Sequence, residues 1–265
     1  MRKIFNSPPL EFDPIFKKYC LFAKQLKPFI TDTSIFLDQA YKKKLGIIFE
    51  CSQGTLLDID FGTYPYVTSS NSIAAGVCTG SGFGPHRIDY VLGAMKAYIT
   101  RVGKGPFPSE MNSDIAHKIR EKGHEYGTVT KRPRRCGWLD IVVARYAIRV
   151  NGINSIALIK LDVLDDQDSI KICKAYQYKQ SILTEFQSQL KTLSQCKPIY
   201  EELNGWKRNT STLRKLDEFP VEAKKYMERI TELLDTPISI ISIGPDREQT
   251  IPLETSYLVS PSEEE

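Results

Sequence analysis

Residues 45–70 read Leu45-Gly-Ile-Ile-Phe-Glu-Cys-Ser-Gln-Gly-Thr-Leu-Leu-Asp-Ile-Asp-Phe-Gly-Thr-Tyr-Pro-Tyr-Val-Thr-Ser-Ser70. The short apolar run at the start of this stretch predicts a buried β-strand that ends at Glu50. A glutamine, a glycine, two aspartates and a hydroxyl-rich turn follow the run. In open α/β sheets, ligands bind beyond the carboxyl ends of the strands. The stretch therefore predicts a pocket at a strand end, but it does not by itself identify a ligand.

The composition of the chain is that of an ordinary globular protein. Its 265 residues are 41% hydrophobic and 26% charged, which suits one large α/β domain. No apolar run approaches the roughly 20 residues of a transmembrane helix, and no signal peptide is recognisable, so we expect no membrane association. The six cysteines form no CxxC pair and the three histidines have no zinc-like spacing. This pattern favours reduced thiols and a cytoplasmic protein.

Predicted helices and strands alternate along the chain, which indicates an α/β fold with a mostly parallel central sheet flanked by helices and a small antiparallel β arm. We divide the chain into a helical segment (1–44), a main domain (45–252) and a polar tail (253–265) that is predicted to be disordered. The predicted helices cover 14–30, 33–44 with Thr33 as the cap, 86–100, 139–150 and 220–235. The predicted strands cover 45–50, 155–160 and a final strand at 238–243, with an exposed hairpin arm at 170–180 that packs through Ile172, Ala175 and Tyr176.

A series of motifs continues beyond residue 70. The motifs are Gly80-Ser-Gly-Phe-Gly-Pro85, Asp89-Tyr-Val-Leu-Gly93, Lys96-Ala-Tyr-Ile-Thr-Arg-Val-Gly-Lys-Gly-Pro-Phe-Pro-Ser-Glu110, Cys136-Gly-Trp-Leu-Asp140, Lys160-Leu-Asp-Val-Leu-Asp165, Pro198-Ile-Tyr-Glu-Glu-Leu-Asn-Gly-Trp206 and Ser242-Ile-Gly-Pro-Asp-Arg247. Together with residues 50–70, they resemble the adenylosuccinate synthetases, GTP-dependent ligases that join IMP to L-aspartate in AMP biosynthesis. The motifs keep the order and spacing of that family from about residue 35 to 251. The resemblance implies the C-terminal portion of the family fold, with its N-terminal part missing.

The resemblance implies an IMP-binding side. Gln53 matches a glutamine that contacts IMP, and Thr68 matches a residue that binds the IMP phosphate. An amide and a hydroxyl can make such hydrogen bonds. Arg101-Val-Gly103 resembles a segment whose backbone touches IMP, with Val102 and Gly103 as the implied contacts, although bare sequence indicates only a turn there.

Residues 128–134 resemble the aspartate-binding loop of the family. The matching residues are Thr128, Val129, Thr130, Lys131, Arg132 and Arg134. Arg132 would approach the IMP ribose and the aspartate carboxylate, and Arg134 would lie near GTP, because arginine presents a planar fork to oxyanions. Lys131 replaces a family glycine, Val129 a threonine, and Pro133 a basic residue. Glycine tolerates positive φ and close ligand approach better than lysine does, so these changes argue against an intact aspartate site.

The remaining GTP contacts are implied at two strand ends. Asp162 would accept hydrogen bonds from guanine, while the Lys160 stem would pack on the base beside Leu161. This arrangement would favour GTP over ATP. The other side of the base would be closed by the backbone of Ser242, Ile243 and Gly244. Without the resemblance, Lys160 and Asp162 would be interpreted as a surface pair at a strand end.

The phosphate loop of the family, Gly-Asp-Glu-Gly-Lys-Gly, does not occur in this sequence. Its catalytic aspartate, which also ligates Mg²⁺, and a catalytic histidine are not matched either. We therefore predict no catalytic residue and no metal ligand in this chain, and expect Mg²⁺ to enter with GTP. Because phosphoryl transfer depends on those groups, we expect the chain to be inactive alone. Activity would then need an N-terminal partner polypeptide, or the chain would form a homodimer as the family does.

Two alternatives remain open from the sequence. The first is a non-catalytic nucleotide-binding paralogue or interaction module, which the changes at Lys131, Val129 and Pro133 favour. The second is a nucleic-acid binder that uses the basic run Lys131–Arg135. The chain shows neither a broad basic face nor interleaved aromatic residues, so we expect no nucleic-acid binding.

Overall fold

A computed structural model describes residues 9–128 and 131–253. The chain forms two compact units, one of residues 1–49 with 78–83 and the other of residues 50–77 with 84–265. In chain order, the described helices and strands are α1 (Phe12–Leu26), α2 (Thr33–Lys42), α3 (Gly76–Ser81), β1 (Leu92–Lys96), β2 (Ile99–Arg101), α4 (Ser113–Lys122), β3 (Arg135–Gly137), β4 (Leu139–Asp140), α5 (Ile141–Asn151), β5 (Ser155–Ile159), β6 (Ser169–Tyr178), β7 (Ser181–Leu183), α6 (Leu190–Leu193), β8 (Lys197–Asn204), α7 (Val221–Leu234), β9 (Ile238–Ser242) and β10 (Thr250–Pro252).

The predicted division at residues 44 and 45 stays a prediction. Nearly all of the predicted tail, residues 254–265, lies outside the described residues, as do Val129 and Thr130.

The first unit contains the two predicted N-terminal helices, α1 and α2. The carboxylate of Asp32 accepts hydrogen bonds from the backbone N–H groups of Ser34 at 3.0 Å and Ile35 at 3.1 Å. Asp32 is therefore the cap of α2, and Thr33 is its first residue, which corrects the prediction. A carboxylate can accept from two N–H groups at once, so it satisfies more of the free donors at a helix start.

The strand predicted at residues 45–50 does not form. Residues 45–50 have no regular secondary structure, and the side chains of Leu45 and Ile48 are 58% and 94% exposed. A strand needs a neighbour for its backbone hydrogen bonds, and no described strand pairs with this run. The apolar pattern alone could not supply that information.

The second unit is built on a four-stranded sheet in the order β1-β5-β9-β10. The pairs β1–β5 and β5–β9 are parallel, and β9–β10 is antiparallel. The buried core cluster takes side chains from the helices α5 and α7 as well as from the sheet; these include Ile141, Ala144, Ile156, Leu158, Tyr226 and Ile230. The predicted α/β fold with a mostly parallel sheet and flanking helices is thus confirmed.

The helix predicted at residues 86–100 is wrong. After a 3₁₀ turn at Pro85–Arg87, this segment forms β1 and β2. Gly93 lies within β1, and a Cβ there would meet the Ile153 Cδ1 atom at 2.7 Å. The parallel pairing with β5 and this close approach decide the conformation, and neither is visible in the local spacing of apolar residues.

The predicted hairpin at residues 170–180 is present as β6 and β7, which pair antiparallel. Ile172, Ala175 and Tyr176 are buried as predicted. The strand β6 is largely buried and also pairs with β8 along most of its length and with β4, whereas the turn and β7 are exposed as predicted, with Ile182 65% exposed. Ile170 and Cys173 in β6 are fully buried as well.

The other predicted elements are present with shifted ends. The strands at 155–160 and 238–243 are β5 and β9, but β9 is not the final strand because β10 follows it. The helix predicted from residue 139 begins at Ile141, since Leu139 and Asp140 form β4 and the Asp140 carboxylate caps the helix by accepting from the N–H of Val143 at 3.2 Å. The helix predicted at 220–235 is α7.

Candidate functional site

Three parallel strands of the main sheet end at the same edge. Lys96 at the end of β1 lies opposite Ile159 at the end of β5, and Leu158 lies opposite Ile241 near the end of β9. Residues 160–162 and 242–244 follow directly, so the two segments predicted to bind GTP come together at this carboxyl edge. This is the edge at which open α/β sheets bind ligands.

A buried carboxylate, Glu125, lies at the centre of this edge. Its Oε1 atom accepts hydrogen bonds from the Tyr98 hydroxyl at 2.7 Å and from Lys160 Nζ at 3.0 Å. Its Oε2 atom accepts from Arg134 Nη1 at 2.7 Å, and Lys96 Nζ lies 2.8 and 2.9 Å from the two oxygens. Glu125 thus joins two predicted site residues, Lys160 and Arg134, that are distant in sequence. We call these five side chains the Glu125 cluster.

The Glu125 cluster carries more positive than negative charge. Although burial raises the pKa of Glu125, the hydrogen bonds from Lys96 and Tyr98 and the charge of Lys96 outweigh it and lower the pKa to about 2. Burial lowers the pKa of Lys96. One ionised carboxylate therefore faces three basic side chains. This excess positive charge suits an anionic ligand.

Residues 160–162 present an unpaired acceptor next to the Glu125 cluster. Lys160 has a left-handed backbone with φ of 59°, and its Nζ also donates to the Gly123 carbonyl at 2.5 Å. Leu161 is fully buried. Asp162 Oδ1 is buried and has no hydrogen-bond partner among the described residues, while burial and the nearby Asp165 raise the pKa of Asp162. A buried acceptor without a partner is costly, which points to a donor that the ligand supplies.

Residues 242–244 form a tightly packed turn. The Ser242 hydroxyl donates to the Gly244 carbonyl at 3.1 Å, and the buried Ile243 donates its N–H to the Gln249 carbonyl at 3.1 Å. A Cβ on Gly244 would overlap the side-chain amide of Gln249. The backbone of this turn is therefore fixed in place at the edge of the sheet.

The loop at residues 128–134 is anchored at one end and exposed at its tip. Arg134 donates its backbone N–H to the Glu125 carbonyl at 2.9 Å, in addition to its ion pair with the Glu125 carboxylate. Thr128, Lys131 and Arg132 are exposed. Lys131 has a φ of 52°, in the left-handed region that favours glycine. The structure thus brings Arg134 into the Glu125 cluster and leaves Arg132 outside it.

The stretch at residues 50–70 is organised by a second buried carboxylate, Asp58. Its oxygens accept from the backbone N–H groups of Asp60 at 2.9 Å, Phe61 at 2.9 Å, Ser72 at 2.7 Å and Ile73 at 3.1 Å. Thr68 Oγ1 lies 3.0 Å from the Leu57 carbonyl oxygen. Gln53 is exposed and has a φ of 70°. The loop is therefore held by its own hydrogen bonds. Gln53 is exposed on it, while the Thr68 hydroxyl is hydrogen-bonded within the loop.

Arg101 connects this loop to the second predicted IMP segment. It is buried, and its Nη2 donates to Thr63 Oγ1 at 2.7 Å while its Nε donates to the Lys104 carbonyl at 3.2 Å. Burial and the nearby Arg135 lower the pKa of Arg101. No described carboxylate forms an ion pair with it. Val102 and Gly103, which follow it, are exposed.

Sequence reasoning missed Lys96, Tyr98, Glu125, Asp58 and Thr63 as individual site residues, and it predicted no role for the side chain of Arg101. Glu125 is 29 residues from Lys96 and 35 from Lys160, so no local spacing joins them. The available signal for Lys96 and Tyr98 is their place inside the motif of residues 96–110.

The adenylosuccinate synthetase family model matches residues 1–251 of this chain. The chain belongs to the adenylosuccinate synthetase family. The match includes residues before 35, where no motif was recognised. The synthetases of Brachyspira hyodysenteriae and Gloeobacter violaceus are 51% and 48% identical to it over 251 and 254 residues.

Solved structures agree with this assignment. The fully ligated adenylosuccinate synthetase of Plasmodium falciparum superposes with a TM-score of 0.91 at 38% identity, over 96% of this chain and 61% of that one. A cyanophage succinoaminodeoxyadenylate synthetase, at 21% identity and a TM-score of 0.53, shares the fold. This chain spans 59% and 58% of the two curated relatives, and 95% and 96% of its own length is aligned.

Residues 9–128 and 131–253 contain neither a candidate metal site nor a candidate membrane-spanning helix. Within these residues, no three His, Cys, Asp or Glu side chains come together as a metal site. The same part of the chain holds no helix long and apolar enough to cross a membrane.

Proposed function

We propose that this chain carries the IMP, aspartate and guanine contacts of an adenylosuccinate synthetase, which joins IMP to L-aspartate at the expense of GTP. The observation that carries the proposal is the meeting of Arg134, Lys160 and Asp162 at the carboxyl edge of the sheet. Arg134 and Lys160 share the Glu125 carboxylate, and Asp162 follows two residues after Lys160. These residues come from the two segments for which the family resemblance implies aspartate-loop and guanine contacts.

The chemistry of Asp162 supports guanine as the base. Guanine presents two neighbouring N–H donors on one edge, and a carboxylate is an acceptor-only group that can receive both. The buried Oδ1 atom of Asp162 has no described partner that competes for this role. Adenine offers a ring nitrogen acceptor at the equivalent place, which a carboxylate would repel. In this proposal, Lys160 packs its stem on the base, with Leu161 beneath it, and the turn of Ser242, Ile243 and Gly244 closes the other side.

The IMP side rests on Gln53, Thr68, Val102, Gly103 and Arg132. The hydrogen bond between Arg101 and Thr63 supports this grouping, because it ties the loop of Gln53 and Thr68 to the turn of Val102 and Gly103. The buried guanidinium supplies positive charge where an anionic nucleotide is proposed to bind.

The aspartate contacts rest on Thr128, Lys131, Arg132 and Arg134. Val129 and Thr130, also proposed for this loop, lie outside the described residues. The exposed tip leaves the side chains of Thr128, Lys131 and Arg132 accessible to a ligand carboxylate.

In this proposal, Mg²⁺ binds together with GTP. The part of the chain that the structure describes has no cluster of residues that fits the ion. We also propose a homodimer or an N-terminal partner polypeptide as the working form. All six cysteines are free thiols, which supports a reducing compartment such as the cytoplasm.

Calorimetry on the purified chain tests the guanine site. We expect GTP and GDP to bind more tightly than ATP and ADP, and Asp162→Asn to weaken GDP binding about tenfold, the effect of losing a charged acceptor. Asp166→Asn is the matched control, because that carboxylate is exposed and pairs only with Lys122. Equal affinity of the unaltered chain for GDP and ADP would contradict the proposal.

A non-catalytic nucleotide-binding paralogue remains the second candidate. The left-handed backbone at Lys131 favours it, because a lysine side chain occupies a position where glycine would let a ligand approach. The two candidates differ in turnover. We expect adenylosuccinate from IMP, GTP, Mg²⁺ and L-aspartate when the chain is co-expressed with the N-terminal part of a relative. GTP binding without any product in that mixture would favour the paralogue.

A further inference from the structure

We propose that Glu125 is a positioning residue for guanine discrimination, which acts by holding Lys160 against the base site and Arg134 at the foot of the loop. The inference rests on the proposed function and adds a residue to it. Glu125 is fully buried, and Arg134 and Lys160 reach its two different oxygens. One side chain therefore sets the place of two ligand-facing groups that are 26 residues apart.

The hydrogen-bond capacity of Glu125 is fully used inside the protein. An ionised carboxylate has about four lone-pair sites, and here it faces Lys96 Nζ on both oxygens, the Tyr98 hydroxyl, Arg134 Nη1 and Lys160 Nζ. No acceptor site is left for a ligand. Glu125 therefore acts through its neighbours and does not touch substrate.

The neighbours of Glu125 need such an anchor. The side chains of Arg134 and Lys160 are 27% and 34% exposed, and each has several rotatable bonds to order. Without the carboxylate, both side chains can turn towards water. Lys160 keeps one protein contact, to the Gly123 carbonyl, so its loss of order is partial.

Removing the charge of Glu125 has a second, opposite effect on phosphate. The three basic side chains then act on a ligand without a compensating anion, and the general attraction for a polyphosphate rises. The two effects separate in an experiment. Base discrimination falls because the Lys160 stem no longer holds the base in line with the Asp162 carboxylate that selects guanine, whereas the affinity for inorganic triphosphate stays or rises.

Calorimetry with GDP, ADP and inorganic triphosphate tests the inference on the full chain. We expect Glu125→Gln to lower the ratio of GDP to ADP affinity about tenfold, without weakening triphosphate. Tyr98→Phe should lower the ratio by a smaller factor, about threefold, because it removes one hydrogen bond to Glu125 and leaves the ions in place. Tyr226→Phe is the matched control: its buried hydroxyl donates to the Ala97 carbonyl at 2.6 Å and not to the Glu125 carboxylate.

A second background shows whether Glu125 acts through Lys160. In Lys160→Met, we expect Glu125→Gln to change the GDP to ADP ratio less than about twofold, since coupled residues are not additive. An unchanged ratio in folded Glu125→Gln overturns the inference alone. If Glu125→Gln does not fold, Tyr98→Phe is the deciding variant. The inference is then overturned if the ratio of GDP to ADP affinity is unchanged in Tyr98→Phe. It is also overturned if that ratio falls equally in Tyr226→Phe. Failure of the unaltered chain to bind any guanine nucleotide overturns the proposed function and this inference together.

Discussion

The Glu125 cluster and the Arg101–Thr63 contact bury charge in opposite ways. Glu125 is a buried anion surrounded by three basic side chains and a tyrosine hydroxyl. Arg101 is a buried cation whose described partners, Thr63 Oγ1 and the Lys104 carbonyl, are neutral. Both lie in the second unit and both touch segments proposed to bind ligands.

This difference distinguishes a charged residue that stabilises the fold, Glu125, from one that is expected to bind a ligand, Arg101. Burying a charge is costly unless it is paired, and removing one partner of a buried ion pair destabilises the fold because the other charge is left uncompensated. Glu125 is such a partner. Arg101 has hydrogen bonds but no counterion among the described residues, so an anionic ligand is the partner that would complete it. We therefore expect Glu125 variants to lose stability first and Arg101 variants to lose ligand affinity first.

The largest expected effect is on the free energy of unfolding of Glu125→Ala. Removing the buried carboxylate leaves Lys96, Arg134 and Lys160 without their shared anion, and we expect a loss of about 3 kcal/mol in urea unfolding. The control is Glu185→Ala, which removes an exposed ion pair with Arg149 and should cost less than about 1 kcal/mol. A similarly small loss of unfolding free energy in both variants would contradict the stabilising role of Glu125.

Acid titration tests the same carboxylate without truncating it. The pKa of Glu125 is about 2 in the folded protein against an ordinary value of 4.5, so its contribution to stability is fully present above pH 4.5 and is lost as the pH falls towards 2. The shift corresponds to about 3 kcal/mol. We expect the unaltered chain to lose more stability than Glu125→Gln across that range, measured by urea unfolding at successive pH values. Parallel curves for the two proteins would contradict the assignment.

The Arg101 side of the comparison is tested by Arg101→Met. We expect IMP affinity to fall about tenfold, the loss of a charge-assisted contact or of the order that it imposes, with a smaller change in urea unfolding than in Glu125→Ala. Thr63 Oγ1 keeps a partner, because it lies 3.3 Å from the Leu56 carbonyl. Arg101→Lys keeps the charge without the planar fork and should fall between the two in calorimetry with IMP. Unchanged IMP affinity in Arg101→Met would contradict the expectation that Arg101 binds a ligand while Glu125 stabilises the fold.

The smallest expected effect concerns the strained loop beside the Glu125 cluster. Lys131→Gly relieves a left-handed backbone and should raise the free energy of unfolding by about 0.5–1 kcal/mol. Lys179→Gly is matched, because Lys179 also has a φ of 52° but lies in the β6–β7 turn. Both should gain similar stability, and only Lys131→Gly should bind L-aspartate more tightly in calorimetry. An equal aspartate response in both variants would speak against a role for this loop.

The sequence predicts the strands that form the carboxyl edge of the sheet better than it predicts the side-chain contacts around that edge. Residues 155–160 and 238–243 were recognised as buried strands, so Lys160 and Ser242 were correctly placed at strand ends. The replacement of a family glycine by Lys131 correctly suggested a position that favours positive φ. These inferences needed only local pattern or the family motif.

What the sequence did not show depends on contacts between distant residues. The segment of β1 is predicted as a helix because β5, the strand that pairs with it, lies over 60 residues further along the chain. The sequence around Glu125 likewise gives no indication of its four partners. The run at 45–50 has the composition of a strand but no described neighbour. Burial, pairing and ion contacts of this kind arise only when the chain is folded.

The side-chain amide of Gln249 holds two separate loop positions and packs against one glycine. Its Oε1 accepts the Asp246 N–H at 3.1 Å, its Nε2 donates to the Ser211 carbonyl at 3.0 Å, and its amide packs against Gly244 where a Cβ would overlap it. Any larger residue at 244 must displace this amide and release both loops. A larger residue at position 244 should therefore be tolerated better when position 249 also changes, and a selection for binding-competent variants should recover the two changes together.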